Sequence, residues 1–130
     1  MKKRVVIESP FGGTDEEVRR NIKYARACII DSLKRGEAPY ASHLFFTQPG
    51  ILDDNLPEER MLGINAGLEI TKDFELTAIY CDLGISKGMK YGIDRAKSLN
   101  RLVEERYLGK DWEKEYSRRI KNHSHNGFFK

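Results

Sequence analysis

The segment Leu76-Thr77-Ala78-Ile79-Tyr80-Cys81 is apolar or β-branched throughout and runs directly into Asp82. A strand with one face in solvent alternates in polarity. One without alternation is covered on both faces, which in a short chain calls for a largely parallel sheet with helices packed on each side. Beyond Asp82 the chain reads Leu83-Gly84-Ile85-Ser86-Lys87-Gly88, a glycine-punctuated turn, and then takes helical spacing over about Ser86 to Ser98. A carboxylate at the end of a buried strand, a tight turn and a helix start together form the crevice where open α/β sheets hold their ligands. Gly84 and Gly88 permit close approach, and the first N–H groups beyond Ser86 and Lys87 have no acceptor within the helix.

The start of the chain repeats that design. Arg4-Val5-Val6-Ile7-Glu8-Ser9 reads as a strand, Pro10-Phe11-Gly12-Gly13 as a turn, and Thr14 with Glu17 has capping-box spacing ahead of a long helix closed by Gly36. Val18, Ile22, Ala25, Ile29 and Leu33 mark the expected core face, while Arg19, Arg20 and Asn21 lie near enough to the helix start to reach a ligand. A second strand is expected over Glu37 to Phe46, leading to His43, with Pro39 near its start where a missing donor is tolerable. The long connection Thr47 to Glu59 offers Gln48, Asp53 and Asp54 as polar candidates, and Asn55 with Glu58 again has capping-box spacing for a helix ending near Ile70. Arg101 to Tyr107 suits a charged edge strand, and Trp112, Tyr116 and Ile120 suit a last helix packing on this body or on a second copy. Strand and helix alternate throughout, so the expected fold is α/β, with a mainly parallel sheet of four or five strands between helical layers.

A length of 130 residues allows one core, expected over 1–109, followed by a basic helical tail over 110–130. The net charge of +3 comes entirely from that tail, which holds six Lys/Arg against three Asp/Glu, so the balanced body gives no electrostatic footprint for nucleic acid. No apolar run is long enough to cross a membrane, and a cytoplasmic protein with reduced Cys28 and Cys81 is expected. Neither a GxxxxGK[ST] loop nor a GxGxxG turn occurs, which removes the two familiar phosphate cradles. The His123-Ser124-His125 run has no accompanying cysteine or carboxylate set, so neither a metal nor any other cofactor is expected. Ser9 and Ser86 have no histidine base at a recognisable spacing.

Ile7-Glu8-Ser9-Pro10-Phe11-Gly12-Gly13, the long helix, Gly36 with Pro39 and His43, and then Asp82, Ser86-Lys87-Gly88, Gly92 and Ala96 resemble the nucleoside 2-deoxyribosyltransferase-like superfamily over about residues 4–109. That group includes nucleotide N-glycosidases and small phage-encoded relatives. The resemblance implies a flavodoxin-like three-layer sandwich, and a loop at Ser9, Pro10, Phe11 and Gly12 that holds the sugar or its phosphate. It also implies catalysis by a glutamate on the helix after the central strand, in a pattern similar to Gly-Thr-x-x-Glu-x-Gly-x-Ala. Laid on Gly88 to Ala96, that pattern puts Gly92 where the glutamate belongs. Asp94 lies about 200° further round the helix and cannot replace it.

Two readings follow. In the first, the pocket binds a nucleotide-type molecule without cleaving it, sequestering a nucleotide signal as a phage counter-defence protein would. In the second, the protein is an N-glycosidase or deoxyribosyltransferase in which Glu8 or Asp82, both at strand ends, supplies the missing carboxylate. Either way the expected ligand residues are Ser9, Pro10, Phe11, Gly12, Gly13, Arg19, Arg20, His43, Asp82, Gly84, Ser86, Lys87, Gly88 and Gly92, with Phe11 offering a ring to a base. A homo-oligomer is the expected assembly. A third reading makes the chain an interaction module acting through the Trp112 helix.

Overall fold

A computed structural model describes residues 1–125, with side chains through His123. Four strands, β1 (Arg4–Glu8), β2 (Ala38–Tyr40), β3 (Leu76–Tyr80) and β4 (Leu102–Arg106), form one sheet in the order β2-β1-β3-β4, and every pairing is parallel. Between and after them run α1 (Asp15–Lys34), α2 (Ser42–Phe45), α3 (Pro57–Thr71), α4 (Lys87–Ser98) and α5 (Trp112–His125). This is a flavodoxin-like α/β fold, and the strand order reverses between β1 and β3, which puts the C-terminal ends of those two strands at the switch point.

All five residues of β3 are buried, as its unbroken apolar pattern requires. The register sets Val5 beside Leu76 and Ile7 beside Ala78 on the α1 and α5 side, and Val6 beside Thr77 and Glu8 beside Ile79 on the α4 side. Glu8 is thus the last residue of β1 and points toward α4. The core on the other face joins Val5, Ile7, Ala78 and Tyr80 to Tyr24, Cys28, Trp112 and Tyr116. Trp112 meets Tyr24 edge-on at 5.0 Å, so α5 packs on this body and seals the same core as the sheet.

Thr14 and Glu17 close the expected capping box at the start of α1. Its deepest face, however, is Asn21, Tyr24, Ala25, Cys28 and Ser32, whereas Leu33 is 55% exposed. Tyr24 takes the central position because its hydroxyl finds a partner in the half-buried Asp82, at 2.5 Å, which lets a large amphipathic ring go inside.

The second strand is shorter than its sequence suggests. Pairing with β1 ends at Tyr40, and Ser42 to Phe45 form a single helical turn instead, closed by Phe46 N–H to Ser42 C=O at 3.2 Å. A short apolar run fits either a strand or a helical turn, and here Leu44 packs on the core while the Thr47 hydroxyl donates to the His43 carbonyl. His43 therefore sits on α2 and not on a strand. The Asn55–Glu58 capping box does not form either: α3 begins at Pro57 after Leu56, and it is Glu59 that accepts a hydrogen bond, from Asp53 N–H at 2.9 Å.

Arg106, in the strand expected to be a charged edge, is only 4% exposed. Its guanidinium is held by Glu37 at 2.7 and 2.8 Å and by the Tyr80 hydroxyl at 3.1 Å, tying β4 to the entry of β2 beneath α1. No described helix is long and apolar enough to cross a membrane.

Candidate active site

The ends of β1 and β3 and the turns that follow them bring together two groups of side chains. The first lies after β1. Ser9, 6% exposed, places its Oγ 3.2 Å from Nε2 of His43, and the Phe11 ring meets the imidazole edge-on at 5.3 Å. Pro10 is buried beneath this turn. Asn21 fixes its shape, its amide donating to the carbonyls of Phe11 and Gly12, both at 3.1 Å. Asn21 is thus a clamp on the turn, and Gly12 and Gly13 stay exposed. The packing of the His43 ring against this turn disfavours its charged form, so desolvation pushes its pKa down to about 4 and the ring is neutral at physiological pH.

The second group is a carboxyl facing a glycine. A Cβ added at Gly92 would collide with the Glu8 carboxyl, whose Oε1 lies 2.8 Å from where that atom would stand. Glycine in the middle of a helix costs about 1 kcal/mol relative to alanine, and here it makes room for the strand's carboxyl. Glu8 is pushed up to about 8 by desolvation, a shift only partly opposed by the positive charge of Arg101. None of the hydrogen bonds among the described residues reaches its carboxyl. Arg101 is itself anchored by the carbonyls of Phe74 and Thr71 and by the Thr77 hydroxyl.

Asp82 is engaged otherwise. Its carboxylate accepts from the Tyr24 hydroxyl at 2.5 Å and from the backbone N–H groups of Leu108 and Gly109 at 2.9 to 3.0 Å. Burial would raise its pKa, but these hydrogen bonds outweigh it and hold the carboxyl below the ordinary aspartate range. Asp82 therefore ties the turn after β3 to the entry of α5, and its lone pairs are committed.

The remaining residues of the expected site scatter more widely. Ser86 caps α4, its hydroxyl accepting from Met89 N–H at 3.2 Å, while Gly84, Lys87 and Gly88 lie exposed around that helix start. Gly84 has φ 87°, a conformation that favours glycine. Arg19 is exposed, and Arg20 turns toward α5, its guanidinium 5.9 Å from the Trp112 ring and 3.9 Å from Glu113. The two helix starts also differ in charge. The first turn of α1 carries Asp15, Glu16 and Glu17, which occupy its positive end, whereas that of α4 has no acid and has Lys87. A phosphate on a ligand is better received at α4. Of the His123-Ser124-His125 run, only His123 has a described side chain; among the described residues no cluster of His, Cys, Asp and Glu could hold a metal.

Two features of this arrangement escaped the sequence. Ser9 and His43 are 34 positions apart and meet only because β2 lies beside β1. Glu8 and Gly92 meet only across the sheet-to-helix packing, though a glycine inside a helix already signals close approach of another group.

Comparison with known proteins adds the following. The family model described as "Domain of unknown function (DUF7768)" matches residues 3–106. No curated protein matches the chain. Among solved structures, a 2-deoxyribosyltransferase from the psychrotolerant bacterium Bacillus psychrosaccharolyticus, reported as a biocatalyst for nucleoside synthesis, superimposes with a TM-score of 0.56 at 16% identity. The match covers 82% of this chain and 74% of that one, and what the two share is the fold.

Proposed function

We propose that this chain, which belongs to the DUF7768 family, acts on the N-glycosidic bond of a nucleoside-type small molecule, with the Glu8 carboxyl making the attack. The observation that carries this reading is the contact between Glu8 and Gly92. The helix position at which the resemblance expects a catalytic glutamate is a glycine, and a carboxyl from β1 fills the space beside it. A carboxylate is thus present in that neighbourhood, supplied from a strand and not from a helix. The fold shared with a deoxyribosyltransferase supports a nucleoside-type ligand, and the switch-point location supports its placement.

In this reading the ionised Glu8 forms a bond to the anomeric carbon as the bond from that carbon to the base breaks, with the electron pair leaving on the base nitrogen. Water then cleaves the glycosyl ester, freeing the sugar and restoring Glu8. A second base in place of water completes a transfer. Because Glu8 titrates at about 8, its attacking form grows tenfold per pH unit below that value, so the rate rises through neutrality and levels above pH 8.

That same protonation favours a second reading. At neutral pH the carboxyl is mainly protonated and can donate a hydrogen bond to a bound nucleotide that stays intact, which is the behaviour of a sequestering, counter-defence phage protein. Incubation with a panel of deoxynucleosides and their monophosphates separates the two: released base supports the glycosidase, and intact ligand recovered only after denaturation supports sequestration. Assembly as a homo-oligomer is part of the same proposal, with the exposed Leu62 and Ile70 of α3 offering apolar surface to a second copy; sedimentation at several concentrations tests it.

A further inference from the structure

We propose that Ser9 and His43 form a proton relay that protonates the departing base, the second catalytic function that a glycosyl transfer needs beside the carboxylate. The proposal rests on the assignment of Glu8 above. Ser9 directly follows Glu8 in the chain, so both residues stand at the same end of β1, at the switch point. Its Oγ is 3.2 Å from His43 Nε2, and the Phe11 edge packs on the ring. His43 also forms part of the wall of a cavity of about 70 Å3, together with Thr47, Asp54, Glu59 and Arg60. Asp54 and Arg60 pair at 3.6 Å, and Glu59 is bonded to Asp53 N–H. A cavity of this size with several polar partners admits water.

The imidazole thus stands between a buried hydroxyl and a space open to water. Such a ring passes a proton without ever holding a net charge, gaining one at Nδ1 as it loses one from Nε2. Burial favours that neutral route, since the imidazolium is scarcely populated at neutral pH. When the bond to the base breaks, the Ser9 proton moves to the base nitrogen, the Nε2 proton moves to Ser9 Oγ, and a solvent proton enters at Nδ1. When water cleaves the glycosyl ester, its proton leaves along the same path in reverse. The Thr47 hydroxyl, donating to the His43 carbonyl, closes the end of the short α2 that carries the ring.

The test compares two substrates. The base of 2′-deoxyguanosine must gain a proton to leave, whereas that of 7-methyl-2′-deoxyguanosine is already cationic and leaves without one. Single-turnover base release is measured for the native protein, Ser9→Ala, His43→Phe and the double variant, with circular dichroism to verify folding and His43→Gln as a substitute should the phenylalanine variant not fold. The relay predicts that each single change slows 2′-deoxyguanosine cleavage roughly 10²- to 10⁴-fold, and that the methylated substrate loses less than about tenfold. The double variant should be no slower than the slower single one, as for groups acting as a unit. Equal losses on both substrates, or an unchanged rate on 2′-deoxyguanosine, would overturn the relay while leaving Glu8 in place. A native protein that frees no base from either substrate would overturn the Glu8 assignment and the relay with it.

Discussion

Replacing Glu8 with glutamine should change stability in a way that depends on pH, by an amount that follows from the surroundings of the carboxyl. In the unfolded chain the group titrates near 4.5, and in the folded protein desolvation, partly offset by Arg101, pushes it to about 8. Below pH 4.5 both states hold the proton and the group contributes no pH dependence. Between 4.5 and 8 the unfolded chain releases a proton that the folded chain keeps, so native stability falls by about 1.4 kcal/mol per pH unit. The loss reaches about 3 kcal/mol at pH 7 and levels off near 5 kcal/mol above pH 8. Glutamine has nearly the same shape and does not titrate. In urea unfolding at a series of pH values, the stability of Glu8→Gln relative to the native protein should therefore rise by about 3 kcal/mol from pH 4 to pH 7. Small domains hold only about 5–15 kcal/mol in total, so the effect is readily resolved. A difference that does not change between pH 4 and pH 8 would refute the burial of an ionisable carboxyl at this place. The same variant should release no base, a gain in stability at the expense of activity.

The contact between Glu8 and Gly92 makes a prediction of sign. Gly92→Ala should destabilise the native protein by about 1–3 kcal/mol through overpacking, yet in a Glu8→Ala background it should stabilise by about 0.5–1 kcal/mol, as alanine does in an open helix position; urea unfolding of the four proteins decides. Asp82→Asn should cost about 2–3 kcal/mol by weakening charge-assisted hydrogen bonds to Tyr24, Leu108 and Gly109, while base release per folded molecule persists. Because the Asp82 pKa is lowered on folding, its contribution is complete above the ordinary aspartate range and fades as pH falls below it, which a comparison of acid unfolding curves will register. Arg106→Ala should cost about 3 kcal/mol by leaving the largely enclosed Glu37 carboxylate with only the Ser32 hydroxyl to pair with, and Arg106→Met with Glu37→Met should recover most of that in thermal unfolding.

Much of the fold was legible because local chemistry and burial agree. The unbroken apolar pattern of Leu76 to Tyr80 demanded a covered strand, and the capping residues Thr14 and Ser86 start their helices where side-chain oxygens meet free N–H groups. Legibility failed where tertiary contact decides. The run from Ser42 to Phe46 satisfies either a strand or a turn of helix until β1 stops offering pairing partners at Val6. Asn21 and Arg20 sit side by side on the first helix and both pointed toward a ligand, but one clamps the Phe11 turn and the other lies against Trp112. In the candidate site, the sequence shows a glycine at position 92 where the resemblance expects a carboxylate. Its partner Glu8 lies 84 positions earlier, and spacing along the chain cannot reveal that the two meet. Asp82 and Glu8 were equal candidates in sequence; the backbone donors of Leu108 and Gly109 separate them by committing one carboxylate and leaving the other.

The central claim is that Glu8 breaks a glycosidic bond, and chromatography of deoxynucleosides and their monophosphates after incubation with the purified protein and with Glu8→Gln tests it most directly. Free base should accumulate with the native protein, faster at pH 8 than at pH 6, and none should appear with the variant. Ligand that vanishes from solution and returns unbroken on heat denaturation, with both proteins alike, would contradict the claim and leave a protein that holds its nucleotide without cutting it.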